Sequence, residues 1–134
     1  MGRRRTRALS VGQVTYRWTV SHTHRVEVVD GVRRLHDCSD HVRLGRDGAP
    51  GRLNVVFAEG PGRVVSGGGY THAGAVSRDG DYLNLNRPGV VRAVLDEALH
   101  RGWQPEQHAE LDGWAMYDGV LTRLRAAEPA AESG

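Results

Sequence analysis

The sequence predicts an α+β fold: a single domain of mostly antiparallel β-sheet, five to seven strands, with one main amphipathic helix packed on it. Three observations carry this expectation. Through residue 85 apolar positions recur with a period of two, and turn signals such as Asp30-Gly31 and Asp79-Gly80 break the runs, the pattern of strands joined by hairpins. After residue 86 the period becomes helical. The chain has 134 residues, 39% hydrophobic and 25% charged, which suits one self-sufficient core and neither disorder nor a coiled coil.

Residues 1–12 read as a flexible arm carrying Arg3, Arg4, Arg5 and Arg7. Residues 13–125 are the expected domain and 126–134 a disordered tail, small and polar. In the domain, Val14, Tyr16, Trp18 and Val20 alternate with Thr15, Arg17 and Thr19, as in a half-buried strand. A strand over 24–29 runs into Asp30-Gly31 and returns over 32–36. Further strands are expected at 41–44, 52–58 and 63–66, with extended chain at 70–76 and 81–85 around the Asp79-Gly80 turn. Val90, Val91, Val94, Leu95, Ala98 and Leu99 then make one helical face, with Arg92, Asp96, Glu97, His100 and Arg101 opposite. Asn86 is the expected cap, Pro88 suits the first turn and Gly102 the left-handed stop. Leu111 to Tyr117 reads as a last strand with Trp114 and Met116 on one face, followed by a short helix over 120–124.

The run Pro88-x-x-Val91-Arg92, then Ala98-Leu99-x-x-Gly102-Trp103-x-Pro105, resembles a helix signature of small uncharacterised bacterial proteins. The resemblance covers residues 86–105 and is structural: a helix start, an apolar face, a glycine stop and an aromatic lid. It implies a sheet-plus-helix domain, and by analogy of fold an immunity- or adaptor-like binding protein. It carries no catalytic residue.

Composition narrows the partners. All 18 basic residues are arginine, against 16 acidic ones, for a net charge of +2. Four of the arginines lie in residues 1–7, so the body is slightly acidic, which disfavours specific nucleic-acid recognition. No apolar run approaches the roughly 20 residues that cross a bilayer. The segment after the first arginines is too short and polar for a leader peptide. The one cysteine, Cys38, allows no disulfide within the chain. A soluble, cytoplasmic protein with no membrane partner is expected.

Several groups are candidates for chemistry. His22 and His24 are two apart, so on a strand both imidazoles share a face; with His36, Cys38 and His41 they form a candidate zinc set. Isolated His-x-His pairs are common on solvent-facing strands, and no Cys-x-x-Cys supports this one. Cys38 with a neighbouring imidazole is a candidate nucleophile, although a free cysteine is ordinarily a small buried hydrophobe. Gly67, Gly68, Gly69, Tyr70 and His72 form a glycine-rich loop that suits a small ligand, but it lacks the lysine of a phosphate loop. Trp103 and Trp114 are residue types favoured at interfaces. No acid, base and nucleophile stand out together, so the sequence points to a binding module without a resident cofactor, more in keeping with a non-enzyme. The expected ligand is a protein partner or a second copy of the chain. A zinc-dependent or zinc-binding protein centred on His22 and His24, and a small-molecule-binding domain, are the alternatives.

Overall fold

A long β-hairpin organises the computed structural model, which describes residues 6–66 and 73–127. Its strands are β2 (Val14–Val29) and β3 (Val32–Arg46), of 16 and 15 residues, joined at Asp30-Gly31. Both run through the positions at which separate short strands are expected. Continuity survives because the one irregularity is a bulge: His24 of β2 faces both Asp37 and Cys38 of β3. Asp37 takes a left-handed φ of 55° there, a conformation that Asp tolerates better than most residues.

β1 (Arg7–Val11) pairs antiparallel with β2, and β4 (Leu53–Ala58) with β3. Residues 7–11 of the expected arm are therefore a strand. Arg7 holds it from the side, its guanidinium 4.5 Å from the Trp18 ring centroid and Nη1 donating to the Asn86 carbonyl at 2.9 Å. A smaller antiparallel sheet follows, β5 (Arg63–Val64), β6 (Ala75–Arg78) and β7 (Asp81–Asn84). Helix α1 (Pro88–His100) leads to β8 (Ala109–Asp112), which closes the five-stranded sheet by pairing parallel to β4, and to helix α2 (Gly113–Ala127). The α+β architecture is as expected. The parallel pair, the eight strands among the described residues and the long second helix go beyond it.

Two local expectations are corrected. Arg87, not Asn86, is the N-cap of α1, with no side-chain cap bond; Asn86 instead donates from Nδ2 to the Ala73 carbonyl at 2.6 Å, tying the loop before β6. Residues 113–117 are helical rather than extended, because Asp112 accepts the Trp114 amide at 2.9 Å, a side-chain cap that starts α2. At the other end of α1 the stop is as read: Gly102 has φ 103°, and the Gly102 and Trp103 amides donate to Leu99 and Ala98.

One face of the larger sheet supplies Trp18, Val42, Leu44, Leu53, Val55 and Phe57 to the core. Val91, Val94, Leu95 and Ala98 of α1 join them, with Trp114, Met116, Tyr117 and Val120 of α2 and Val76 and Leu83 of the smaller sheet. Among the described residues no helix is long and apolar enough to cross a membrane.

Candidate functional site

The pleat of β2 and β3 sorts the polar candidates. His22 lies opposite Asp40, on the core face continued from Trp18 and Leu44. Asp40 is fully buried. His22 Nδ1–H donates to Asp40 Oδ1 at 2.8 Å, the Ser66 hydroxyl donates to the same oxygen at 2.7 Å, and the Ser66 amide donates to Oδ2 at 3.0 Å. The carboxylate thus fixes the imidazole and clamps the segment after β5 against the sheet. His22 Nε2 is buried without a hydrogen-bond partner. The Ser66 hydroxyl approaches Nδ1, not Nε2, so the three residues lack the relay in which one ring nitrogen serves the carboxylate and the other the hydroxyl.

A second network lies on the opposite face. His41 Nδ1–H donates to Asn54 Oδ1 at 3.1 Å, and Nε2 sits 3.0 Å from both the Ser39 and the Thr23 hydroxyl oxygens. Asn54 Nδ2 donates onward to Glu110 Oε2 at 3.2 Å. Ser39, His41 and Asn54 have nucleophile, base and orienting group in the right order. However, Ser39 is paired on one side to Thr23 and on the other to Ala58, so the surrounding amides belong to the ladder. An acyl-transfer oxyanion needs free donors, and an interior strand does not offer them. The network satisfies polar groups across four strands.

The candidate zinc set divides accordingly. His22 and His24 meet, their ring centroids 5.4 Å apart, whereas the register puts His36 and His41 on the other face. His36 pairs instead with Asp37 at 3.1 Å. Among the described residues no group of three or more His, Cys, Asp or Glu side chains is placed to hold a metal ion. Cys38 sits in the bulge, buried, its amide donating to Glu59 Oε2 and its carbonyl accepting the Glu59 amide. Burial raises its thiol pKa, and Glu59, Asp40 and Asp37 raise it further. That environment disfavours the thiolate and a nucleophilic role.

The tryptophans are core residues rather than an exposed patch. Trp103 is buried, with Nε1–H donating to the Gln107 carbonyl at 2.9 Å. Trp114 packs edge-on against Phe57 at 5.2 Å between centroids and donates to the Ala58 carbonyl at 2.7 Å. Gly67, Gly68, Gly69, Tyr70 and His72 lie outside the described residues.

Two features have no counterpart in the sequence expectations. One is a pocket of about 380 Å³ on the open face of the sheet, lined by Arg17, Arg43, Arg46 and Arg52. Its charge is already engaged: Arg17 faces Asp47, Arg46 pairs with Glu106 at 2.8 Å, Arg43 donates to Ser21, and Arg52 to the Ala49 and Gly51 carbonyls. The other is the outer half of the hairpin. Among the described residues, β1 flanks β2 only as far as Trp18, and β4 flanks β3 only from Ser39. Beyond the bulge, the described residues form a two-stranded ribbon. Val26, Val28, Val29, Val32 and Leu35 on it are 46%, 63%, 41%, 57% and 44% exposed. Val26 and Leu35 are directly opposite, with Val28 next along, continuing the core face of the sheet past the point where helices and loops cover it. Alternation shows a strand; it does not show where the covering layer ends.

No protein-family model, curated protein or solved structure matches the chain. Its function is therefore argued from these surfaces alone.

Proposed function

We propose that the chain is a protein-binding module whose partner docks on the outer half of the β2–β3 hairpin. The observation that carries this reading is the uncovered apolar strip of Val26, Val28 and Leu35, which extends the buried face of the sheet into solvent. Contiguous apolar surface of this kind favours an interaction site over a solvated one. Arg33, opposite Val28, adds a cation at the rim. The fitting partner presents an apolar segment with an acidic neighbour.

The test is capture from extract of the source cell on immobilised protein, followed by reconstitution with the purified partner. Val28→Thr with Leu35→Thr keeps strand propensity and removes the apolar strip. The expected result is a binary complex whose affinity falls at least tenfold in the double variant. A partner that binds both forms equally well sinks the reading.

A further inference from the structure

The edge of the same hairpin supports a separate inference. We propose that β2 pairs antiparallel with β2 of a second copy, about a two-fold axis at Val26, to form a symmetric dimer with a continuous sheet.

The two edges of the ribbon are not equivalent. Among the described residues, two edges of the ribbon have no neighbouring strand: β2 over 23–29 and β3 over 32–37. The bulge places its extra residue in β3, where Asp37 turns left-handed. That interrupts the β3 edge and leaves β2 regular. A ribbon of two strands is marginal in water, and a third and fourth strand are the ordinary remedy.

The residues along β2 are self-complementary. An antiparallel pair of identical strands centred on Val26 sets Arg25 of each copy opposite Glu27 of the other, His24 opposite Val28, and Thr23 opposite Val29. Both ion pairs then fall on one face of the extended sheet, and the aliphatic contacts between the two copies of Val26 on the other. Within the hairpin Glu27 already faces Arg34, so a row across the dimer alternates Arg34, Glu27 and Arg25. Arg25 is held only loosely in the single copy, 3.7 Å from Asp37 with both side chains well exposed. Shifting the axis to Glu27 sets that carboxylate against its own copy, and shifting it to Arg25 does the same with the guanidinium; like charges directly opposite are destabilising. Of the axes along β2, the one at Val26 sets opposite charges across both sides, so charge favours this register.

The described residues of the body leave room. With the axis at Val26, the Asp30-Gly31 turn of the second copy lies beside His22 and Ser21, short of Trp18, at which the pairing of β1 with β2 among the described residues ends. Self-pairing widens the Val26 and Leu35 strip rather than covering it, so the dimer and a heterologous partner are compatible.

The experiment is sedimentation equilibrium of the full chain between about 1 and 100 μM, with charge reversals on β2. Wild-type protein is expected to reach twice the 14.7 kDa chain mass. Arg25→Glu and Glu27→Arg each convert two attractive pairs into two repulsive ones and should weaken the dimer roughly thirtyfold. The Arg25→Glu, Glu27→Arg double variant restores opposite charges and should recover it, a result that general destabilisation cannot produce. Val26→Cys lies on the axis and should cross-link to its own copy under mild oxidation, whereas Val28→Cys, facing His24, should not. Wild-type protein that stays at the single-chain mass throughout overturns the self-pairing, as does a dimer indifferent to both reversals. Neither outcome touches the partner reading, which the threonine variant probes on the face of the hairpin.

Discussion

Replacing Glu97 by glutamine should expose how the two helices are fastened. Glu97 stands on the flank of α1 that its sequence assigns to solvent, yet it is buried, because α2 covers it. Its carboxylate accepts from Arg101 Nε at 2.9 Å and from Arg123 Nε at 3.0 Å, the second reaching across from α2. Burial works to raise the carboxyl pKa, but the bonds and charges of Arg101 and Arg123 outweigh it and hold the group below its ordinary value. Each charge-assisted bond contributes about 1.5–3 kcal/mol where it is shielded. The arginine side chains are 40% and 35% exposed, so screening pulls both toward the low end, and glutamine keeps one neutral bond. A net loss of about 2 kcal/mol follows, or about 6–10 °C in Tm for a domain of this size. The sign of the pH dependence is fixed. A carboxyl with a lowered folded pKa adds stability that is fully present above its unfolded value and is lost as pH falls through the folded one. Thermal melts of wild type and Glu97→Gln should therefore differ at pH 7 and converge below about pH 4.5. A gap that stays constant from pH 7 to 3.5 would refute the reasoning, since the charge would then not be the source of the difference.

Other perturbations probe the core and the polar networks. Trp114→Ala empties the space between Phe57 and Tyr117 and should cost about 3–5 kcal/mol in denaturant titrations, whereas Trp114→Phe should cost less and mainly strand the Ala58 carbonyl. Asp40→Ala removes the acceptor for His22 and for both Ser66 donors, so a loss of about 2–3 kcal/mol is expected, with faster amide exchange at Ser66 as the local sign. Cys38 should react with a thiol reagent only at the rate of local opening, far slower than in denaturant; equal rates in both states would contradict its burial. Tyr117, its hydroxyl donating to the Asp81 carbonyl and its pKa pushed up to about 12 mainly by burial, should remain un-ionised in a spectroscopic titration at pH 10.5.

The strands from Val14 onward and the first helix are strongly periodic, and the Asp30-Gly31, Asp79-Gly80 and Gly102 signals fall where the chain turns. The second helix was masked by its glycines. Gly113 and Gly119 lower helix propensity by roughly 1 kcal/mol each relative to alanine, which makes 113–117 look extended. Both are there for tertiary reasons: a Cβ at Gly113 would enter the Phe57 ring, and one at Gly119 would meet the Glu97 carboxylate. The helical signal was nonetheless present, in Asp112 as a cap and in Met116, Tyr117, Val120 and Leu124 at helical spacing. The division of the histidine set between two faces has a different reason. Spacing along one strand fixes the face, but the bulge at Asp37 and the pairing with β3 decide which other histidines share it. Exposure of the hairpin was beyond reach, because it depends on where β1 and β4 stop.

That hairpin also contains its own argument against being a surface meant for water. Within the body, the positions of β2 on the face away from the core are Thr15, Arg17, Thr19, Ser21 and Thr23, polar residues, three of them β-branched, that hold a strand without presenting hydrocarbon. Past the bulge this economy stops. Val28 and Val29 point to opposite faces of the ribbon, Val32 and Leu35 stand across from Val29 and Val26, and all four are exposed. Threonine at these sites would preserve the strand equally well, and burying each aliphatic side chain is worth about 1.5–3 kcal/mol. Charged neighbours, Arg25, Glu27, Arg33 and Arg34, blunt indiscriminate edge pairing, and on β2 their order favours the register centred on Val26 with a second copy. The composition of the ribbon is thus that of an interface guarded against the wrong partners, and the charge-reversal series asks whether the right one is the chain itself.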